Sequence, residues 1–147
     1  MENFNPFDPD RCVLDASQIN YAEKPLIYSC SGCSSAAQMA NHLAVQMDRG
    51  GEAEMSCIAG LGGDVKPLVR TALQAVESGR PIVMIDGCPL KCGLHILARH
   101  AIRPDLHWDL SKRNVRKEKH VDFDPLEAER LELELKEAIP SWRPRMH

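Results

Sequence analysis

At 147 residues, with 44% apolar and 27% charged side chains, the chain is long enough for one domain with a core of its own. Its net charge of −3 argues against a dedicated nucleic-acid or anionic-membrane binder, and no stretch approaches the roughly 18 apolar residues of a membrane helix. The first ten residues carry neither a basic nor an apolar leader region, so a cytoplasmic address is expected; in that reducing compartment clustered cysteines read as metal or redox chemistry before disulfides.

Residues 1–23 are polar, contain Pro6 and Pro9 and show no helical or strand period, which predicts an irregular arm. Cys12 stands there without a cysteine neighbour and reads as a lone thiol. Pro25-Leu26-Ile27-Tyr28-Ser29-Cys30 is the first predicted strand. After Ser31-Gly32-Cys33-Ser34 a helix follows, with Ala36, Ala40, Leu43, Ala44 and Met47 on one face and Gly50-Gly51 as its stop. The polar–apolar alternation of Ala53-Glu54-Met55-Ser56-Cys57 predicts a second strand nearer a sheet edge. Ile58-Ala59 leads into Gly60-Leu61-Gly62-Gly63-Asp64, which reads as a flexible turn. Asp64 is then the expected N-cap of an amphipathic helix carrying Val65, Leu68, Val69, Ala72, Leu73 and Val76, and Pro67 fits its first turn, where no amide donor is needed.

The stretch that organises the chain is Pro81-Ile82-Val83-Met84-Ile85-Asp86-Gly87-Cys88-Pro89-Leu90-Lys91-Cys92-Gly93. Four consecutive apolar residues, closed by Asp86-Gly87, are the pattern of a strand covered on both faces, which implies a parallel sheet. Apolar residues then recur helically at Leu90, Leu94, Leu97, Ala98 and Ala101, so Cys88 falls at the strand's carboxyl end and Cys92 in the next helix's first turn. Leu106, Trp108 and Leu110 alternate as a fourth strand, followed by a basic turn over residues 113–119. The final helix has Asp124 as cap, Pro125 at its first position and Glu127 completing a capping-box-like start, with Glu132 and Lys136 spaced to pair. Leu131, Leu135 and Ile139 form one stripe, and Leu126 with Leu133 a second, which suits either a homodimer through this helix or deeper burial of it. The predicted fold is α/β: a small three-layer parallel sheet of about four strands with flanking helices, Rossmann-like, plus a C-terminal helix. Its divisions are an arm over 1–23, the α/β domain over 24–119 and a helical extension over 120–147.

Five thiols fall at three predicted strand ends: Cys30 and Cys33, Cys57, and Cys88 with Cys92. Carboxyl ends of parallel strands share one rim, about 4.8 Å from strand to strand, so thiols far apart in sequence converge there. A lone cysteine at a strand end is usually a small buried hydrophobe, and a CxxC alone fits redox work as well as metal; the joint placement is what marks a site. Thiolates in fours favour zinc or an iron–sulfur cluster, and helix N-termini after Cys33 and near Cys92, with Lys91, suit their negative charge. Other patterns fail. The Cys30 loop has no arginine to hold a phosphate dianion, and the Gly60–Gly63 stretch lacks a P-loop lysine. His95 and His100 fall on different helix faces, as surface or capping residues, with His95 near enough to Cys92 to support it.

Tyr28-Ser29-Cys30-Ser31-Gly32-Cys33-Ser34, Met55-Ser56-Cys57-Ile58-Ala59-Gly60, Ile85-Asp86-Gly87-Cys88-Pro89-Leu90-Lys91-Cys92 and Leu97-Ala98-Arg99-His100 together resemble the DGC-domain family, named for the triplet found here at 86–88. The resemblance spans roughly residues 25–117. It implies a zinc-binding domain of unassigned biochemical role, with Cys30, Cys57, Cys88 and Cys92 as the chelating residues. Members often carry a further cysteine where this chain has Ile96, which removes one candidate ligand. Cys33, displaced onto a Ser-Gly turn, is then the fifth candidate: a spare thiol that supports the site or exchanges into it.

The leading expectation is a cytoplasmic α/β protein with a Cys₄ zinc site on the carboxyl edge of its sheet, partnered by metal, not by nucleic acid or membrane. The alternatives are a thiol-redox or sulfur-handling enzyme using Cys30 or Cys33 as nucleophile, and an iron–sulfur electron carrier.

Overall fold

Four parallel strands form one sheet in the order β2-β1-β3-β4, with β1 over Leu26–Ser29, β2 over Glu54–Met55, β3 over Ile82–Asp86 and β4 over Leu106–Asp109. The computed structural model describes residues 16–144. Leu26 pairs with Ile82 and Ser29 with Ile85, so the two central strands end level with each other. The alternating strand β2 lies at an edge, as its pattern predicts.

Five helices complete three layers: α1 (Ser35–Arg49), α2 (Ile58–Gly62), α3 (Lys66–Ser78), α4 (Cys92–Arg99) and α5 (Pro125–Ala138). On one face, Ile27, Val83, Ile85 and Trp108 pack against Met39, Leu43 and Met47 of α1 and Ala128, Leu131 and Leu135 of α5. On the other, Leu26, Tyr28, Ile82 and Met84 meet Leu61 of α2, Ala72 and Ala75 of α3 and Leu97 of α4. Successive strand residues point to opposite faces, so covering both faces explains why β1 and β3 are apolar up to their last residues. The fold is the expected α/β arrangement. Among the described residues no helix is long and apolar enough to cross a membrane.

Local signals account for most element ends. Ser34 opens α1, its hydroxyl accepting from the Ala37 amide at 3.1 Å. Gly79 closes α3 in the left-handed conformation at φ 74°. Asp124 accepts from the Leu126 amide at 2.9 Å, with Pro125 in the first turn of α5. Two readings need correction. Ile58–Gly62 is the short helix α2 and not a turn, because the missing side chain of Gly60 lets Leu68 of α3 close against it. Val65, not Asp64, is the N-cap of α3; the Asp64 carboxylate is held instead by Arg99 of α4 at 3.0 Å.

The end of the polar arm makes two 3₁₀ turns, Ala16–Gln18 and Tyr21–Glu23. Arg80 holds the second, donating to the carbonyl oxygens of Lys24 at 2.6 Å and Tyr21 at 2.8 Å. Cys12 and the rest of that arm lie outside the described residues. In α5, Leu131 and Leu135 are fully buried, whereas Leu126 and Leu133 are 55% and 64% exposed; Lys136 reaches Glu52 of the α1–β2 turn at 3.5 Å.

Candidate functional site

The chain leaves β1 for β2 on one side, while β3 lies on the other, so the connections diverge at the carboxyl ends of β1 and β3. In open α/β sheets this divergence leaves a crevice. A cavity of about 200 Å³ opens there, and Cys30, Cys33, Cys88 and Cys92 all line it. Cys30 follows β1, Cys33 lies in the loop to α1, Cys88 follows β3, and Cys92 is the first residue of α4.

The Asp-Gly-Cys triplet builds this corner residue by residue. Asp86 is the last residue of β3 and is 1% exposed; it accepts from the Gly93 amide at 2.8 Å and the Leu94 amide at 3.2 Å, which satisfies two free donors at the start of α4. Its second oxygen lies 2.8 Å from Nε2 of His107 on β4. Gly87 is required by close approach, since a Cβ there would stand 2.6 Å from the backbone carbon and oxygen of Ala36. Its amide donates to the Cys30 sulfur at 3.2 Å. Cys88 is then delivered to the cavity wall, and Lys91, in the left-handed conformation at φ 53°, turns the chain into α4.

The thiols differ in environment. Cys30 and Cys88 are partly buried, and Cys33 and Cys92 exposed. Burial pushes the Cys30 thiol up from 9.0 to about 11; the Gly87 amide opposes this, and Asp86, Cys88 and Cys92 add to it. Cys57 is elsewhere. It is exposed, stands at the N-cap of α2, and is not among the residues lining the cavity. With Ile27 opposite Met55, continuing the register sets Cys57 level with Ser29, and on the far side of β1 from β3. The two-residue strand ends early and its chain turns away into α2. The structure thus gathers four of the five expected thiols, with Cys33 present and Cys57 apart.

The sequence reading missed the cationic wall. Lys117 and Lys119, read only as part of a basic turn, line the cavity together with Lys91. Lys117 Nζ is 3.5 Å from the Cys88 sulfur. Ser35, at the start of α1, latches this segment: its amide donates to the Glu118 carbonyl at 2.9 Å, and its hydroxyl accepts from the Glu118 amide at 2.9 Å and donates to the Arg116 carbonyl at 3.2 Å. Nothing in the local pattern foretells a contact over more than 80 residues. His100 is a linking residue, its Nε2 2.7 Å from the Leu61 carbonyl oxygen, while His95 is exposed and does not line the cavity.

Four sulfur donors with no uncommitted carboxylate among them suit a soft or borderline cation such as zinc, and not a hard, oxygen-seeking one. As placed, the sulfurs ring the cavity; among the described residues no three His, Cys, Asp or Glu side chains are drawn together closely enough to hold an ion.

The family model of the DGC domain matches residues 26–134, farther than the motifs alone, reaching into α5. Over 115 residues the chain is 52% identical to the anaerobic and virulence modulator AnvM of Pseudomonas aeruginosa, covering 78% of this chain and 85% of that protein. No solved structure matches.

Proposed function

The chain belongs to the DGC-domain family, and from that premise we propose that it is a cytoplasmic modulator protein whose thiol cavity is a zinc site held by Cys30, Cys33, Cys88 and Cys92. One observation carries this reading: four thiols from two separate crossovers line a single cavity at the sheet's switch point. The name of the AnvM relative supports a regulatory role over a metabolic one. Held by these four thiols, zinc would tie the loop before α1 to the start of α4. The chain's own groups prepare for it. The Gly87 amide already faces the Cys30 sulfur, Lys117 stands against Cys88, and Asp86 fixes the turn that presents Cys92. Burial pushes the Cys30 thiol up, so Cys30 would have to give up its proton to hold zinc, and affinity would rise with pH.

The test is elemental analysis and an absorption spectrum of reduced protein, with serine variants at each cysteine. The expected result is colourless protein with one zinc, retained in Cys57→Ser and lost in Cys88→Ser and Cys33→Ser; chelation lowers the melting temperature without unfolding the chain. Zinc lost in Cys57→Ser but kept in Cys33→Ser would restore Cys57 as the fourth ligand. Visible charge-transfer bands would assign an iron–sulfur cluster, and absence of both metal and colour would assign thiol-redox work at Cys30 and Cys33.

A further inference from the structure

We infer that in its metal-free state the thiol cavity binds a small oxyanion through Lys91, Lys117 and Lys119, so that oxyanion and metal are alternative occupants. The second half of this statement rests on the zinc reading above; the first does not. Three lysines line one cavity, the Lys117 ammonium standing 3.5 Å from the Cys88 sulfur, and among the described residues none of them has a carboxylate within 4.0 Å. The lining includes a single carboxylate, Asp86, and it is committed to His107 and to the amides of Gly93 and Leu94. Elsewhere the chain pairs its cations readily, as Arg99 does with Asp64 and Lys136 with Glu52. In a molecule of net charge −3, three lysines at one opening with no carboxylate partner among the described residues are a local reversal of sign, which favours an anion.

Size selects the class. Pockets for drug-sized organic ligands run from about 300 to 1,000 Å³, so a cavity of about 200 Å³ suits an inorganic oxyanion better than a nucleotide. Ser31 and Ser34 add hydroxyls to the wall, although Ser34 is already engaged with Ala37. Alternation with metal follows from shared space: Cys30, Cys33, Cys88 and Cys92 line the same cavity of about 200 Å³ as the three lysines, and a zinc–tetrathiolate dianion there would answer most of the lysines' charge.

The experiment titrates sodium sulfate, and separately inorganic phosphate, into full-length, reduced, metal-free protein at ionic strength held constant with chloride, reading amide chemical shifts and melting temperature. Saturable shifts at residues 30–34, 88–92 and 117–119 are expected, about tenfold weaker in a Lys117→Gln/Lys119→Gln variant whose melt in chloride alone matches the native chain. Equal saturation in native and variant protein, or no saturable response to either anion, would overturn the site. A zinc titration in the same buffers then tests alternation: sulfate lowers the apparent zinc affinity of the native chain and not of the variant, and an unchanged affinity refutes it. If the chain takes up no zinc, the zinc reading fails while the sulfate titration still decides the oxyanion site.

Discussion

Asp86 and His107 meet side by side on adjacent strands, Oδ2 lying 2.8 Å from Nε2, while the same carboxylate closes the first turn of α4. Removing it strands two helix-start amides and an imidazole in a buried corner. Asp86→Ala is therefore expected to cost about 2–4 kcal/mol in urea unfolding, and Asp86→Asn, which keeps one acceptor, roughly half as much. Native-like stability in Asp86→Ala would show that water replaces the carboxylate without loss.

Gly87 has no room for a side chain, and the obstacle is backbone that cannot rotate aside. Gly87→Ala should destabilise by about 2–3 kcal/mol by pushing β3 away from α1, and would, if the cavity holds zinc as proposed, reduce metal content along with it. Gly93 provides the contrast, because the nearest atoms to its added Cβ belong to the flexible Met84 side chain, so Gly93→Ala should be the milder change. The two variants compared by thermal melting check the ranking.

Cys30 gives the reduced, metal-free protein a pH signature. Burial raises its folded value to about 11, above the 9.0 of an exposed thiol, so the folded chain holds this proton more tightly than the unfolded chain does. That contribution to stability is fully present below pH 9 and is lost as the pH rises through about 11. Tyr28, also raised by burial, adds a limb of the same sign in both proteins. The stability difference between the native chain and Cys30→Ala should consequently shrink between pH 9 and 11; a constant difference would mean that Cys30 is not desolvated.

The two stripes of α5 separate cleanly. Leu131→Ala, in the core against α1, is expected to cost about 3 kcal/mol, and Leu133→Ala, at 64% exposure, under 0.5 kcal/mol. We propose the exposed stripe of Leu126 and Leu133 as the seam of a homodimer. Sedimentation of a Leu126→Glu/Leu133→Glu variant checks it: a dimer turned monomer supports the seam, and an unchanged sedimentation coefficient removes it.

Periodicity made the sheet legible, since β1 and β3 are apolar up to their last residues, Ser29 and Asp86, and double coverage explains that. It also put Cys30 and Cys88 on one rim. What the sequence could not convey was lateral geometry. Cys57 shares the right end of its strand, yet β2 ends after two residues on the wrong side of β1, and neither fact is encoded in the Met-Ser-Cys pattern. The lysines escaped for the opposite reason: a basic turn looks like a solvated surface until Ser35 is found holding it to the start of α1. Asp64 misled because a capping residue and an ion-pair residue look alike until Arg99 is placed beside it.

The Ser35 latch also has a bearing on how the protein is made. Of the cavity thiols, Cys30 and Cys33 leave the ribosome first, Cys88 appears 55 residues after Cys33, and Lys117 follows 29 residues later still. A domain folds as a unit, and this one cannot close until its later elements have been made. For the interval before β3 docks beside β1, the nascent chain carries two thiols at CxxC spacing with no wall opposite them, and the lysine segment cannot close until Glu118 has been translated.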